Sequence, residues 1–166
     1  MTATTEHETQ IIVDPDVPLV RLIREFDAPP AAVYEAHVDP DLAAQWMGPN
    51  QYTNAIDHWD ARTGGAWRYR CVAPDGGEHA FFGSFHELRP GELIVQTFCY
   101  EGDRDGVALE RLVFEDLGDG RTRLVTTSLV DNFAGRDAFV AGGMEVGVCE
   151  GYQSLDALLA LSLIHI

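Results

Sequence analysis

The stretch AWRYRCVAPDGGEHAFFGSFHELRPGELIVQTFCY, residues 66–100, decides the fold. Over its first segment Trp67, Tyr69 and Cys71 alternate with Arg68 and Arg70. Successive side chains of a strand point to opposite faces, so the two sets are separated. The arginine face stays in water and the aromatic face turns inward. PDGG is a hairpin signal, HAFFGSFHEL reads as the next strand, RPGE as the next turn and LIVQTFCYE as a third strand. Short strands joined by tight turns make an antiparallel sheet.

Toward the N-terminus, QYTNAIDHWDA is extended and ARTGG, with Gly64 and Gly65, is its turn. Before it, Pro30 suits the first turn of a helix in DAPPAAVYEAHV, and Asp39 with Pro40 starts a second short helix that WMGPN stops. LVRLIREF, from Leu19, alternates as a strand. Toward the C-terminus, EGDRDG is a loop, and LERLVFEDL and TRLVTTSLV flank a GDG hairpin turn. From Arg136 to about Ala160 the period becomes helical, with Met144, Val148, Gly151, Tyr152, Leu155, Leu158 and Leu159 on one stripe. We expect a single domain over 18–160, preceded by a flexible tail over 1–17. The last six residues, LSLIHI, read as the translation of a transposase sequencing adaptor, a non-native scar on 161–166.

Composition narrows the partners. Twenty-seven acids face eleven bases, all arginine, for a net charge of −16. That field repels phosphate backbones and anionic lipid, so neither nucleic acid nor a membrane surface is expected. No apolar run approaches the roughly 18 residues a span requires. MTATTEHETQ lacks a basic start and an apolar core, which argues against a secretory signal and for a cytoplasmic acidic protein. Without lysine, no side chain can form a Schiff base. Cys71, Cys99 and Cys149 match no metal or redox spacing and read as reduced, mainly buried thiols. The histidines His7, His37, His58, His79, His86 and His165 show no metal-ligand spacing, and neither metal nor cofactor is expected.

The segments REFDAPPAAVYEAHVDPDLAAQWMGP (24–49), DARTGGAWRY (60–69), FFGSFHELRPGELIVQTF (81–98), VFEDLGDGRTRLVTTS (113–128) and GGMEVGVCEGYQSLDALLA (142–160) resemble the activator of Hsp90 ATPase homologue 1-like branch of the START/SRPBCC superfamily. The resemblance implies an α+β helix-grip fold: an antiparallel sheet of about seven strands wrapped around a long C-terminal helix, with two short helices after strand 1, as layers sharing one core. It also implies a cavity between sheet and helix, and frequent homodimers. Asp60, Arg62, Gly64 and Gly65 match a family turn that reads as a structural corner. Trp46, Gly48 and Pro49 match an element closing the second short helix. Where the family often has a bulky aromatic after the glycine of the last helix, this chain has Val148 after Gly147. Chaperone binding belongs to relatives with an extra domain that nothing here matches.

The residues argue for the cavity independently. Strand parity puts Trp59 on a face with Ala55, Asp57 and Ala61, opposite His58 and Asp60. Phe81, Phe82, Phe85 and Phe98 add aromatic bulk, and Gly147 and Gly151 would leave space on the helix stripe. The expected ligand site is therefore Trp46, Trp59, Trp67, Tyr69, Phe81, Phe85, Phe98, Met144, Val148 and Tyr152, receiving a small hydrophobic molecule that is aromatic, polyketide-like or lipid-like. Two rivals stand beside binding or sequestration. One is a cavity enzyme (cyclase, dehydratase or hydrolase) with Asp57 or a tyrosine as acid–base group. The other is a co-chaperone-like interaction module.

Overall fold

The alternation over 66–100 is the register of three neighbouring strands. The computed structural model describes residues 7–164. The elements in chain order are β1 (Gln10–Val13), β2 (Leu19–Phe26), α1 (Pro30–Val38), α2 (Pro40–Trp46), β3 (Thr53–Trp59), β4 (Ala66–Val72), β5 (Glu78–Arg89), β6 (Leu93–Tyr100), β7 (Val107–Gly118), β8 (Arg121–Leu129), α3 (Phe133–Ala141) and α4 (Met144–Ile164). One antiparallel sheet runs in the order β1-β2-β8-β7-β6-β5-β4-β3. Strands β3 to β8 form a meander, and β2 closes against β8 with Phe26 opposite Thr122 and Leu19 opposite Leu129.

The sheet has eight strands, because part of the expected tail is ordered. Gln10–Val13 pairs with β2, Val13 opposite Val20. β-Branched Ile11, Ile12 and Val13 favour extended backbone, and the free edge of β2 offers them hydrogen bonds. The first six tail residues, and residues 165 and 166 of the expected scar, lie outside the described residues.

Both short helices begin as read. Pro30 occupies the first turn of α1, and the Asp39 carboxylate accepts hydrogen bonds from the backbone N–H groups of Asp41 and Leu42 at the start of α2. The single long helix expected from Arg136 is instead two. α3 starts earlier, capped by Asn132, whose side chain accepts from the Gly135 N–H at 2.7 Å. It ends at Gly142, and Gly143 takes φ +86°, where a side chain would be strained. The chain turns there before α4 begins.

The inner face of the sheet follows from parity. Val20, Leu22, Arg24 and Phe26 of β2 lie beside Thr122, Leu124, Thr126 and Ser128 of β8. Ala108, Leu112 and Phe114 of β7 and Ile94 of β6 continue the same face. Phe26, Val33 and Leu155 are 0% exposed and Leu124 1%, so sheet, α1 and α4 meet in one core. Burying each such side chain contributes roughly 1.5–3 kcal/mol. Arg24 fastens α4 to the sheet from inside, donating to both carboxylate oxygens of Asp156 at 2.9 and 2.5 Å.

Candidate functional site

Six of the ten expected site residues form one continuous aromatic wall. Trp67 stacks on Tyr69 with ring centroids 5.7 Å apart, and Tyr69 meets Phe81 at 5.4 Å. Phe81 meets Phe98 at 5.3 Å, and Phe98 returns to Trp67 at 5.7 Å. Trp59 touches Trp67 and Phe85. Trp67, Tyr69 and Phe85 are buried, whereas Trp59, Phe81 and Phe98 are half-exposed. Trp46 and Tyr152 form a separate pair 6.1 Å apart, and Tyr152 lies edge-on to Phe26. Val148 packs half-buried against the core one turn before Tyr152, with Met144 half-buried a turn earlier. Phe82 is on the outer face under the Arg104 guanidinium.

The wall rings touch one another. The inner face beside the partly exposed Phe81 and Phe98, termed the trough, is what the wall offers to solvent. Gly147 and Gly151 do not enlarge it. A Cβ on Gly151 would lie 3.2 Å from the Trp46 carbonyl oxygen, and one on Gly147 3.8 Å from Pro49. Both glycines let α4 approach the turn after α2. Two hollows lie elsewhere: one of about 320 Å³ is lined by His7, Glu8, Thr9, Arg24, Cys149 and Gln153. The other, about 190 Å³, lies between α1, α2 and α4 beside Ala36, Leu42 and Leu158.

The sequence reading missed the acid that faces inward. Glu110 is opposite Gln96 on β6 and Ser128 on β8. Its carboxyl accepts from Ser128 Oγ at 2.6 Å and from Gln96 Nε2 at 3.0 Å. Burial pushes its pKa up, against the pull of those two donors. The signal was available: in VALERLVF, Glu110 is in phase with Ala108, Leu112 and Phe114, which carry the apolar face. Strong curvature brings Tyr69 of β4 and Tyr152 of α4 close enough to feel its charge. Burial pushes both phenols up, Tyr152 to about 12, so neither ionises near neutrality. Trp67 Nε1, also on this face, is buried without a hydrogen-bond partner, while Thr126 Oγ1 lies beside the Tyr152 hydroxyl.

Asp57 faces the other way. A β-bulge between Ile56 and His58 puts an extra residue into β3 and reverses the parity at Asp57, while Trp59 still turns inward and donates Nε1–H to the Val38 carbonyl at 2.8 Å. On the outer face Asp57 is clasped by Arg68 and Arg70, with Arg70 Nε 3.0 Å away. Hydrogen bonds from Arg70, then the two guanidinium charges, hold its carboxyl below the usual range. An acid so held stays ionised and lacks the raised pKa expected of a cavity acid. Asp60 pairs with Arg62 at 2.8 Å and not with exposed His58; its N–H also bonds the Ala66 carbonyl, which fixes the corner at 60–65. Among the described residues no cluster of His, Cys, Asp and Glu could hold a metal ion, and the three cysteines are free.

A sheet curled around a C-terminal helix, with aromatic side chains on its concave face and two short helices closing one end, defines a helix-grip domain. The chain belongs to the family of Activator of Hsp90 ATPase homolog 1-like proteins, whose model matches residues 27–160. A crystal structure of a Chromobacterium violaceum protein is 31% identical, with a TM-score of 0.74 over 85% of this chain and 96% of that one. A Rhodobacter sphaeroides protein superposes with a TM-score of 0.84 at 24% identity, over 93% of this chain and 99% of its own. The AHSA1 protein of Silicibacter pomeroyi gives a TM-score of 0.71 at 23% identity, over 87% and 99%. No curated protein matches the chain. No helix of the described residues is long and apolar enough to cross a membrane.

Proposed function

We propose that this domain binds or sequesters a small hydrophobic molecule along the trough between the aromatic wall and the first half of α4. The observation that supports the reading is the partial exposure of Phe81 and Phe98 on the inner face, beside the buried Trp67 N–H that has no partner. A central strand of a sheet that grips a helix ordinarily buries its inward aromatics, and buried N–H and O–H groups ordinarily find partners. An apolar wall with few convergent polar groups is the usual make-up of a small-molecule site. Val148, small where relatives often carry an aromatic, leaves the rim beside the wall uncrowded.

The test is a fluorescence titration with N-phenyl-1-naphthylamine, a neutral aromatic probe. Saturable binding by the wild type, weakened about tenfold by the plugging substitution Val148→Trp, supports the reading; tenfold corresponds to about 1.4 kcal/mol. Equal binding by both proteins, or none, sinks it. The homodimer implied by the resemblance has a candidate surface in Val107, Leu109 and Leu129, exposed together on the outer face of β7 and β8. A wild-type dimer that Leu109→Arg converts to monomer in sedimentation velocity would support it; a wild-type monomer would not.

A further inference from the structure

The concave face holds a carboxylate that has donors but no counter-charge. Glu110 accepts from Ser128 and Gln96, and its environment contains no cationic partner. The acid that α4 brings to this side of the sheet, Asp156, is paired with Arg24. A buried carboxylate is ordinarily compensated by a cation or a proton. Both Glu110 oxygens accept, one from a hydroxyl and one from an amide N–H, and these bonds favour the ionised form against the burial that raises the carboxyl's pKa.

Around it stand the rings. Phe98 is opposite Ala108, one pair along from Gln96 opposite Glu110, so Phe98 and Glu110 are diagonal neighbours on one face. Phe81, Trp67 and Tyr69 continue from Phe98. Aromatic faces carry negative potential and attract a cation, more strongly where water is thinned out. The net charge of −16 adds a long-range bias of the same sign.

From this juxtaposition we infer that the trough selects hydrophobic amines: an apolar, aromatic body lies along Phe81, Phe98 and Trp67 while its protonated nitrogen pairs with Glu110. The inference rests on the ligand-binding reading above and names its ligand class. Ser128 and Gln96 act as positioning residues that aim the carboxylate at the trough.

Calorimetric titrations with 2-naphthylmethylamine and its neutral near-isostere 2-naphthylmethanol test it, on the wild type and on Glu110→Gln. The substitution keeps shape and removes one charge; its amide oxygen can accept from Gln96 while its NH2 donates to Ser128 Oγ, reversing that bond, and its fold is checked by circular dichroism. Expected is one site per chain, with the amine bound about tenfold tighter than the alcohol by the wild type. Glu110→Gln should abolish that preference and leave alcohol affinity within about twofold. The rest of the acidic surface is unchanged in the variant, so a preference caused by the overall field would persist there and overturn the inference. Equal binding of amine and alcohol by the wild type, or a preference for the alcohol, overturns it while the ligand-binding reading stands, and needs no variant. Binding of neither probe removes both.

Discussion

The two ends of the concave face are built from the same strands and behave oppositely. On β6, Ile94 is 2% exposed, whereas Gln96 and Phe98 further along are partly buried; on β7, Phe114 is 5% exposed and Glu110 partly buried, with small Ala108 beyond it covered again. At the closed end α1 and the second half of α4 supply Val33, Tyr34, Leu155 and Leu159 as a lid of buried side chains. At the open end α4 starts only after the break at Gly143 and is drawn by Gly147 and Gly151 against the turn Trp46–Pro49. One face of one sheet is thus a filled core beside α1 and the second half of α4, and keeps partly exposed side chains at Gln96, Phe98 and Phe81. The difference comes from the helices, because the strands alternate the same way at both ends.

Truncation is the largest way to break the comparison. Leu155→Ala removes a fully buried side chain from the closed end and should cost about 3 kcal/mol in urea unfolding, within the usual range of about 2–5. Phe98→Ala should cost less than that, below the roughly 3–5 kcal/mol usual for an enclosed phenylalanine, since Phe98 is only partly buried. Equal losses would mean that Phe98 is as tightly enclosed as Leu155, and the trough would vanish from the account.

Acid sharpens the same contrast. His37 lies at the closed end, between Trp46 and Phe114, and donates Nδ1–H to the Val33 carbonyl at 2.7 Å. Burial lowers its pKa to about 4 from 6.5. The sign follows from which state takes the proton. Below pH 6.5 the unfolded chain protonates this histidine and the folded one does not, so stability falls as pH drops from 6.5 toward 4. The loss from this group alone is at most about 3 kcal/mol, at 1.36 kcal/mol per unit. His37→Gln should remove that slope from the pH dependence of the melting temperature. An unchanged slope would show that the ring is reached by water.

Much of the fold was legible because it depends on short-range rules. Parity in AWRYRCV, the PDGG, RPGE and GDG turns, and the Asp39–Pro40 helix start all act within a few residues. Two readings failed where one residue changes the count. The bulge at Asp57 is invisible to a strict period of two, and the parity argument therefore turned inward an acid that faces out. Gly143 ends a helix by adopting positive φ, which an amphipathic stripe does not register. The aromatic wall was legible as a set, whereas its openness was not, because it depends on where α4 settles. Glu110 could have been found by phase alone; it was passed over amid the charged residues of LERLVFEDL.

Glu110 carries the next effect, and the open end makes it specific. Its carboxyl pKa is raised by burial, with Ser128 and Gln96 opposing, and Tyr69 and Tyr152 are the titratable groups that feel its charge. Below the unfolded value of 4.5 both states are protonated and the group costs nothing. As pH rises through and above that value the folded state must bear a buried charge, so Glu110→Gln should gain stability over the wild type progressively, on the order of 1 kcal/mol at neutral pH. An advantage already present at pH 3 would point to packing, and the buried-charge argument would fail.

The smallest effect belongs to the acid on the outer face, and the pair makes the final comparison. Asp57 is ionised early, its carboxyl being held low by Arg70 and Arg68, so its contribution is present above its unfolded value and is lost as pH falls toward and below it. All three partners are in contact with solvent, and water screens their attraction. Asp57→Asn should therefore move the melting temperature barely and leave probe binding in the trough unchanged. Glu110→Gln should do the reverse, raising stability while removing the preference for the amine. If Asp57→Asn changed probe affinity and Glu110→Gln did not, the bulge would have been misread and the polar centre of the site would lie on β3.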